Sequence, residues 1–532
     1  MKNIVIFFCF LFSCSIFAQQ DAWVYFNSKP NSQTYLDSPL QILSQRALDR
    51  RANQSISLNI SDAPLEKSYI AQVGSSTGIT ILAQSKWLNA LHIRGSQADI
   101  NTLKNLTFVD RVVFADHTLN STSKKYPEST IAKINKKLNT KVDYAYGTSA
   151  NQIQMLNGQI LHQQNYTGEG KIIAVLDAGF PGVDTALPFA NLRDNNQILG
   201  GYDYVTRNPN FYTGDDHGTM VLSTMGGYKE NSLVGTAPKA SFYLFRTEND
   251  ASENPVEESL WVEAAEKADS LGVDIITTSL GYFEYDNPNY THLYSDMNGA
   301  TNFISRGAEI AFSKGIIVVA SAGNEGQTNE PHIGSPADAV SVITVGSVDS
   351  SNNKSDFSSV GPSYDNRIKP DVMAQGSAAV VCNAAGTIRT INGTSFSCPI
   401  MAGMIACLWQ AFPSKTNQEI RQMLLQSSDR YTTPNNNYGY GIPNFGTALK
   451  VEDFEDTTFL VYPNPVQNTL LFLFSDQQEA SVIIYSVLGE KLIEKQVTTD
   501  NPNLSLQSLK SGVYFYALDI NGFHKTGKII KQ

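Results

Sequence analysis

Residues 171–179 read KIIAVLDAG, an apolar run that ends in an aspartate and a glycine turn. Near-continuous apolar character is typical of a strand buried on both faces of a parallel sheet. Three similar runs follow along the chain, at residues 273–276, 316–320 and 342–345. Helical patterns lie between them, at residues 257–271 and 299–314. This alternation predicts an α/β domain, with helices covering a parallel sheet, over residues 143–450.

The segments before this domain differ from it in pattern. Residues 19–120 mix short apolar runs with a helical stretch at residues 98–106, which predicts a small α+β domain. The runs expected to be strands in that domain are residues 22–26, 90–93 and 112–114. Residues 121–142 contain six lysines, one acidic residue and little apolar surface, so we expect an exposed linker there. Such loops are where proteases cut.

The segment after the domain predicts a different class. Residues 457–532 contain apolar runs separated by turn residues, and no catalytic constellation. The runs are residues 470–474, 481–485 and 512–516. This pattern indicates a small all-β sandwich.

The N-terminus has the pattern of an export signal. Lys2 precedes an apolar run at residues 4–17, and small Ala18 follows, which predicts a signal peptide over residues 1–18. A lipoprotein signal at Cys14 is the alternative, but bulky Phe12 stands where such signals place a small residue. No later segment has about 18 unbroken apolar residues, so we expect a soluble mature chain.

Composition limits the class of protein. The 532 residues predict two to four folded units, and 42% hydrophobic residues are enough for globular cores. A net charge of −11 argues against nucleic acid as the partner, since that role needs a basic face. Removal of the signal leaves Cys382, Cys398 and Cys407, an odd number. A Cys382–Cys398 disulfide and buried free thiols are both open interpretations.

Two motifs offer an aspartate and a histidine. Asp177 is expected at the carboxyl end of a buried strand, where open parallel sheets place their active sites. His217 lies in the sequence DHGTMV, which predicts a short helix that opens at His217 and closes at a glycine pair. Small Gly218 is expected to leave room for a substrate. Alone, either residue is as compatible with a structural role.

A third motif, NGTSFSCP at residues 392–399, runs into the apolar residues 400–409. Proline is tolerated within the first turn of a helix, so Pro399 predicts that Ser395 lies at or just before the helix start. Free N–H groups and the helix dipole favour negative charge there. The alternative is that Ser395 is only an N-cap.

Together these residues indicate one chemistry. A serine hydroxyl needs a base to take its proton, and the base needs a carboxylate to orient it. The order Asp177, His217, Ser395 is that of subtilisin-like enzymes, and no Gly-x-Ser-x-Gly elbow surrounds Ser395. Asn324, in the loop AGNEG at residues 322–326, offers an amide N–H that can stabilise an oxyanion beside the Ser395 backbone N–H.

Four motifs in this order resemble the signatures of the subtilase family. They are LDAG at residues 176–179, DHGT at 216–219, AGN at 322–324 and GTSFSCP at 393–399. The resemblance implies a serine endopeptidase with Asp177, His217 and Ser395 as the catalytic triad and Asn324 as the oxyanion donor. Two departures are Ala178, where a hydroxyl residue is usual, and Ile400, where a histidine is frequent.

The resemblance also implies how a polypeptide substrate binds. Ser279, Leu280 and Gly281 match a family segment that pairs with an extended substrate, and Gly334 matches the floor of the primary specificity pocket. No cofactor is expected. Calcium sites, common in the family, show no clear acidic loop and are left unassigned. We expect a monomer, and the alternative function is a catalytically inactive surface adhesion protein of the same fold.

Both flanking domains carry resemblances of their own. Residues 19–120 are similar to the family's inhibitory propeptides, so the enzyme's own propeptide is an expected partner. The last segment resembles the sorting domain of the Bacteroidota type IX secretion system, which implies export across both membranes and recognition by outer-membrane secretion machinery. The motifs are VYPNP at residues 461–465, SVLG at 486–489, LKSGVY at 509–514 and KIIK at 528–531. The alternative is a sandwich that binds polysaccharide or protein.

Overall fold

The structure is a computed structural model. It describes residues 19–120 and 144–449, and then residues 459–462, 466–474, 479–487, 490–498, 501–520 and 523–531. The predicted signal peptide (1–18) and lysine-rich linker (121–142) lie outside the described residues. The chain divides into two compact units, one ending at Leu449 and one beginning at Lys450. Within the described ranges, no helix is long and apolar enough to cross a membrane.

The N-terminal domain is a four-stranded antiparallel sheet with short helices, as predicted. In chain order its elements are β1 (Gln19–Phe26), α1 (Ser32–Leu36), α2 (Gln45–Asn53), α3 (Lys67–Gly74), β2 (Thr80–Ser85), β3 (Ala90–Ser96), α4 (Gln97–Thr102) and β4 (Val109–Phe114). The sheet order is β2-β3-β1-β4. The three predicted runs lie in β1, β3 and β4, and the helical stretch is α4 plus a 3₁₀ turn at Leu103–Asn105.

The second domain is built on a seven-stranded parallel sheet, which confirms the α/β prediction. Its strands are β5 (Ile172–Asp177), β6 (Ile198–Asp203), β9 (Ser241–Arg246), β10 (Ile275–Thr278), β11 (Ile317–Ser321), β12 (Ile343–Val348) and β13 (Val372–Gln375). The order is β13-β12-β11-β10-β5-β9-β6. Two antiparallel pairs complete the strands: β7 (Tyr228–Lys229) with β8 (Leu233–Val234), and β14 (Ala379–Cys382) with β15 (Ile388–Ile391).

Helices cover both faces of this sheet. They are α5 (Ala150–Gln154), α6 (Gln159–Gln163), α7 (Ala190–Asp194), α8 (His217–Gly226), α9 (Val256–Leu271), α10 (Phe303–Ser313), α11 (Thr394–Ala411), α12 (Asn417–Gln426) and α13 (Phe445–Ala448). Alternate residues of each strand point to opposite faces. In β5, Ile173 and Val175 pack in one core with α8 and α11, whereas Ala174 and Leu176 pack in the other with α9 and α10.

The four runs read from the sequence are β5, β10, β11 and β12, which form the centre of the sheet. Strands β6, β9 and β13 do not correspond to any run predicted from the sequence. Gly200 and Gly201 interrupt the apolar pattern of β6, and β13 has only four residues. The pattern of β9 was readable, because Phe242, Leu244 and Phe245 make it an apolar run.

The N-terminal domain packs on α9 and α10 and shares a core with them. Trp23 and Trp87 are buried among side chains of these helices, and the Trp23 ring stacks on Phe303 with 5.3 Å between centroids. Polar contacts are buried too. Asp269 of α9 accepts hydrogen bonds from the guanidinium groups of both Arg50 and Arg51 of α2. The two domains therefore bury both apolar and charged groups against each other.

The second unit is an all-β sandwich, as predicted. One sheet contains β16 (Phe459–Tyr462), β17 (Thr469–Phe474) and β20 (Asn503–Ser505), and the other contains β18 (Glu479–Tyr485), β19 (Lys491–Thr498), β21 (Gly512–Ile520) and β22 (Phe523–Lys531). All the strand pairs are antiparallel. Leu470 and Phe472 of one sheet share a buried cluster with Val482 and Ile484 of the other.

Candidate active site

Asp177 is the last residue of β5, and its side chain is fully buried at the carboxyl end of the sheet. Its Oδ1 accepts hydrogen bonds from the Ala178 backbone N–H at 2.8 Å and from His217 Nδ1 at 2.7 Å. Its Oδ2 is buried and has no hydrogen-bond partner among the described residues. Ala178 supplies no hydroxyl that could donate to this oxygen. Among the described residues, the side chain that donates to Asp177 is therefore that of His217.

His217 is the first residue of α8, as the sequence predicts, and its side chain is 27% exposed. Its backbone N–H donates to Asp215 Oδ1 at 2.9 Å. Burial lowers the pKa of the imidazole, but the charges of Asp177, Asp215 and Asp216 outweigh burial and hold that pKa above its usual 6.5. With Nδ1 donating to Asp177, the lone pair lies on Nε2, which accepts no hydrogen bond from the described residues. The ring is thus oriented as a base.

Gly218 serves a purpose other than the one expected. It is buried, and a Cβ at this position would lie 2.4 Å from the Gly179 carbonyl oxygen and 2.9 Å from Asp177 Cβ. The expectation that Gly218 leaves room for substrate is therefore wrong. The absent side chain instead lets α8 approach the turn after β5, which brings His217 within hydrogen-bonding distance of Asp177.

Ser395 is the second residue of α11, which begins one residue after Gly393. Pro399 is the sixth residue of this helix, so the expectation that it marks the first turn is wrong. A proline inside a helix leaves the carbonyl four residues earlier without its donor. That carbonyl belongs to Ser395, and Ser279 Oγ donates to it at 2.7 Å. The side chain of Ser279 therefore compensates for Pro399.

Ser395 is 9% exposed. Its Oγ donates to the Ser279 carbonyl oxygen at 3.4 Å, and no Ser395–His217 hydrogen bond is present among the described residues. The ring of Phe396, the next residue of α11, is 5.9 Å from the His217 ring.

Asn324 follows β11 and contacts the first residue of α11. Its Oδ1 accepts hydrogen bonds from the Thr394 backbone N–H at 2.9 Å and from Thr394 Oγ1 at 3.0 Å. Both contacts fix the oxygen of the amide, which leaves Nδ2 available as a donor beside the start of α11. The N–H groups in the first turn of a helix have no partner within the helix. The structure therefore brings both predicted oxyanion donors to one place.

The predicted substrate-binding residues lie on two adjoining segments. Ser279, Leu280 and Gly281 directly follow β10, and Gly334 lies beside the next residue, Tyr282. The backbones of Tyr282 and Ser335 exchange two hydrogen bonds, of 2.8 and 3.1 Å. A Cβ on Gly334 would lie 3.1 Å from the Tyr282 carbonyl oxygen, whereas one on Gly281 would meet nothing closer than 3.9 Å.

The cysteines take no part in this site. Cys382, Cys398 and Cys407 are all free and buried, so the Cys382–Cys398 disulfide considered above is not formed. Cys398 Sγ lies 3.4 Å from the Thr278 carbonyl oxygen. Burial raises the pKa of this thiol to about 12, so Cys398 is a neutral packing residue.

Two clusters in the described residues have side chains that suit a metal ion. In the first, Glu248 Oε2 accepts from the Tyr282 hydroxyl at 2.6 Å, and Glu257 accepts from two backbone N–H groups. Burial raises the pKa of Glu257 to about 8, against the effect of those bonds. A proton on one of these acids therefore allows the acidic side chains to lie close together without a metal ion. The third member of the cluster is Glu253. The second joins two imidazoles to a carboxylate: His117, His292 and Asp296.

Three family models match three parts of the chain, and these parts correspond to the three folds described above. The Subtilase family model matches residues 168–441. The Peptidase S8 propeptide domain, Bacteroidota, matches residues 21–132, and the secretion system C-terminal sorting domain matches residues 460–532.

Curated relatives are similar to the middle of the chain. Subtilisin NAT of Bacillus subtilis subsp. natto is 32% identical over 301 residues, which are 56% of this chain and 70% of that protein. The subtilisin of Bacillus pumilus is 31% identical and is covered over 98% of its length. A crystal structure of MycP1 with the N-terminal propeptide removed shares 22% identity, with a TM-score of 0.47 over 58% of this chain and 98% of that chain.

Proposed function

The chain belongs to the subtilase family of serine endopeptidases, and we propose that Asp177, His217 and Ser395 are its catalytic triad. The observation that carries this assignment is the 2.7 Å hydrogen bond from His217 Nδ1 to the buried carboxylate of Asp177. Such a bond fixes the tautomer of the imidazole and stabilises its protonated form. It leaves Nε2 free to take a proton from Ser395, the second residue of α11.

In the first step, the Ser395 side chain turns from the Ser279 carbonyl toward His217 Nε2. His217 accepts the hydroxyl proton as Ser395 Oγ forms a bond to the carbonyl carbon of the substrate. The carbonyl oxygen becomes an oxyanion, which Asn324 Nδ2 and the Ser395 backbone N–H stabilise. Both donors are held in place before the reaction starts, so little reorganisation is needed.

In the second step, the protonated His217 gives its proton to the departing amine, and the peptide C–N bond breaks. An acyl-enzyme remains on Ser395. A water molecule then attacks the ester while His217 accepts the water's proton, and that proton returns to Ser395 Oγ as the product acid leaves. Asp177 stays ionised throughout. The scheme uses no cofactor, and calcium stays unassigned.

The substrate is a polypeptide that lies against the segment Ser279 to Gly281. The backbone of this segment would pair with an extended chain, as a strand added to a sheet edge. Gly334 is proposed to form the floor of the pocket for the residue before the cut bond. Gly334 lies close to the Tyr282 carbonyl oxygen, which supports the assignment of Gly334 to the boundary of the pocket. We propose that the active enzyme is a monomer.

An N-terminal domain of the S8 propeptide type precedes the enzyme, so the protein is made as a precursor. We propose that this domain (19–120) inhibits the peptidase domain (143–450) until the lysine-rich linker (121–142) is cut. Its buried contacts with α9 and α10 support a domain that stays bound until released.

The protein is secreted or displayed at the cell surface, because it has a C-terminal sorting domain for secretion. We propose that residues 1–18 direct passage across the inner membrane and are then removed. Residues 457–532 would be recognised by the outer-membrane secretion machinery.

A phosphonofluoridate probe tests the triad, because it labels only an activated serine. We expect labelling and casein hydrolysis by the parent protein and neither by Ser395→Ala, which should also accumulate as a longer precursor. Ser397→Ala is the matched control, since Ser397 lies on the same helix turn and its Oγ bonds only to the Thr394 carbonyl. Absence of labelling in the parent would favour the inactive adhesion protein instead. A normal mature N-terminus in Ser395→Ala would show that another protease makes the cut.

A further inference from the structure

A second group of chemically active side chains lies where the N-terminal domain meets the peptidase domain. His117 belongs to a 3₁₀ turn, His117–Leu119, that follows β4 of the N-terminal domain. His292 and Asp296 belong to the loop between β10 and α10 of the peptidase domain. One ligand atom from each residue lies within 4.8 Å of the others. The two imidazole rings are 5.9 Å apart between centroids, at an angle of 68°.

His292 is the buried centre of this group, with 7% of its surface exposed. Its Nε2 bonds to Glu258 Oε1 at 2.9 Å, and the structure describes no hydrogen-bond partner for its Nδ1, which is shielded from water. A buried polar atom without a hydrogen-bond partner is destabilising. The described residues offer no hydrogen-bond partner to Nδ1, and a ligand bound at this atom would remove the cost.

The residues behind His292 fix its orientation. Glu258 also accepts hydrogen bonds from the Tyr285 hydroxyl at 2.6 Å and from the Ile304 backbone N–H at 3.0 Å. In the neutral imidazole, an Nε2–H that donates to this anchored carboxylate leaves the lone pair on Nδ1. A carboxylate behind a histidine whose other nitrogen is free is the usual arrangement of a metal-binding imidazole.

We propose that His117, His292 and Asp296 bind one divalent transition-metal ion that holds the N-terminal domain on the peptidase domain. Two imidazole nitrogens and one carboxylate oxygen are a ligand set that suits Zn²⁺, with water at a fourth position. Ca²⁺ and Mg²⁺ prefer oxygen ligands alone, so two imidazoles disfavour both ions. Asp296 Oδ2 accepts from the Leu293 backbone N–H at 2.8 Å, and Oδ1 is the oxygen left for the metal.

The geometry requires one small adjustment. Ligand atoms around tetrahedral Zn²⁺, with bonds of about 2.0–2.1 Å, stand about 3.4 Å apart. His117 is exposed on the surface of its domain, so its side chain can turn to close the remaining gap. His292 and Asp296 are already held by hydrogen bonds. The metal therefore needs both domains to complete its ligands, and it stabilises only the state in which they are associated.

The test uses the full-length chain carrying Ser395→Ala, checked by mass to retain the N-terminal domain. Zinc chloride titrated into this protein in a calorimeter should bind at one ion per chain and should raise the thermal unfolding midpoint. His117→Leu should weaken zinc binding at least about tenfold. A tenfold loss is the smallest usually seen when a residue that only supports a metal ligand is changed, and His117 is itself a ligand. It should also abolish the rise in the midpoint, whereas His117→Cys, which restores a zinc ligand, should recover both.

His524→Leu is the matched control, because His524 lies in β22 of the second unit and is not one of the three ligands. It should bind zinc as the parent does. Zinc binding that is unaffected by His117→Leu, or that His524→Leu weakens equally, would overturn the site. Binding without any rise in the unfolding midpoint would overturn its role in holding the domains together. None of these measurements needs peptidase activity, so failure of the triad assignment would leave them unchanged.

Discussion

The helices α9 and α11 are both buried, but they are buried by different parts of the chain. α11 has no charged side chain, and it packs within the core of the peptidase domain itself. α9 buries Glu266 and Asp269, and the groups that pair with them come from the N-terminal domain. Glu266, for example, accepts from Ser85 Oγ at 2.7 Å and from the Trp87 backbone N–H at 2.9 Å.

If the N-terminal domain is released as proposed, this difference separates a permanent core from a removable interface. An apolar surface such as that of α11 would be exposed at a large cost if its cover left. Carboxylates such as those of α9 regain water when their partners leave, which lowers the cost of exposing this mixed surface. While the partners are present, however, the loss of one charge leaves the other buried and unpaired, which is strongly destabilising.

Asp269→Ala should give the largest change in stability, and only in the precursor. It leaves Arg50 and Arg51 without their shared carboxylate, at a cost of about 3–5 kcal/mol. The free energy of unfolding of the N-terminal domain in the Ser395→Ala precursor, measured by urea denaturation, should fall accordingly. The mature enzyme, in which Asp269 would face water, should keep its midpoint.

Lys267→Ala is the matched control on the same helix. The Lys267 side chain is exposed, so we expect a loss below about 1 kcal/mol in either form. If Asp269→Ala destabilised the mature enzyme as much as the precursor, the distinction between α9 and α11 would be wrong.

Asn324→Ala should lower kcat by about 10²–10³, a magnitude known from the loss of one such donor in subtilisin itself. The substrate should still bind, so KM should change little. Steady-state kinetics on a chromogenic peptide would measure both constants. Thr394→Val keeps the backbone N–H that holds Asn324 Oδ1 and should cost less. An unchanged kcat in Asn324→Ala would remove Asn324 from the oxyanion site.

The pH profile should show the smallest of these effects. His217 must be neutral to accept a proton, and neighbouring carboxylates hold its pKa above 6.5. The value of kcat/KM should therefore fall about tenfold per unit as the pH drops below that pKa, with a midpoint above 6.5. Asp215→Asn should move the midpoint to lower pH, since it removes one of the charges that raise the pKa. A midpoint below 6.5 in the parent would contradict this assignment.

The sequence predicted those parts of the molecule whose residue pattern lies within a short segment. The apolar runs of β5, β10, β11 and β12 are readable because buried parallel strands lack polar residues. The order of Asp177, His217 and Ser395 indicated one reaction class. By contrast, the glycines in β6 and the four residues of β13 give too little pattern to read.

Contacts between residues that are far apart along the chain could not be predicted from the sequence. The hydroxyl of Ser279 that supports the Ser395 carbonyl is 116 residues away from it. Gly218 could be identified as small, but only the structure shows that it lets α8 approach Asp177. His117 and His292 carry no motif, and neither would be selected from the sequence.

The sequence by itself thus determined the fold class, the reaction class and the candidate residues, because periodicity and motif order are properties of short segments. Tertiary structure decided how those residues meet. It set the 2.7 Å bond between His217 and Asp177, the place of Pro399 within α11, and the pairing of α9 with the N-terminal domain. The physical reason is that hydrogen bonds and ion pairs depend on distances that only the folded chain establishes.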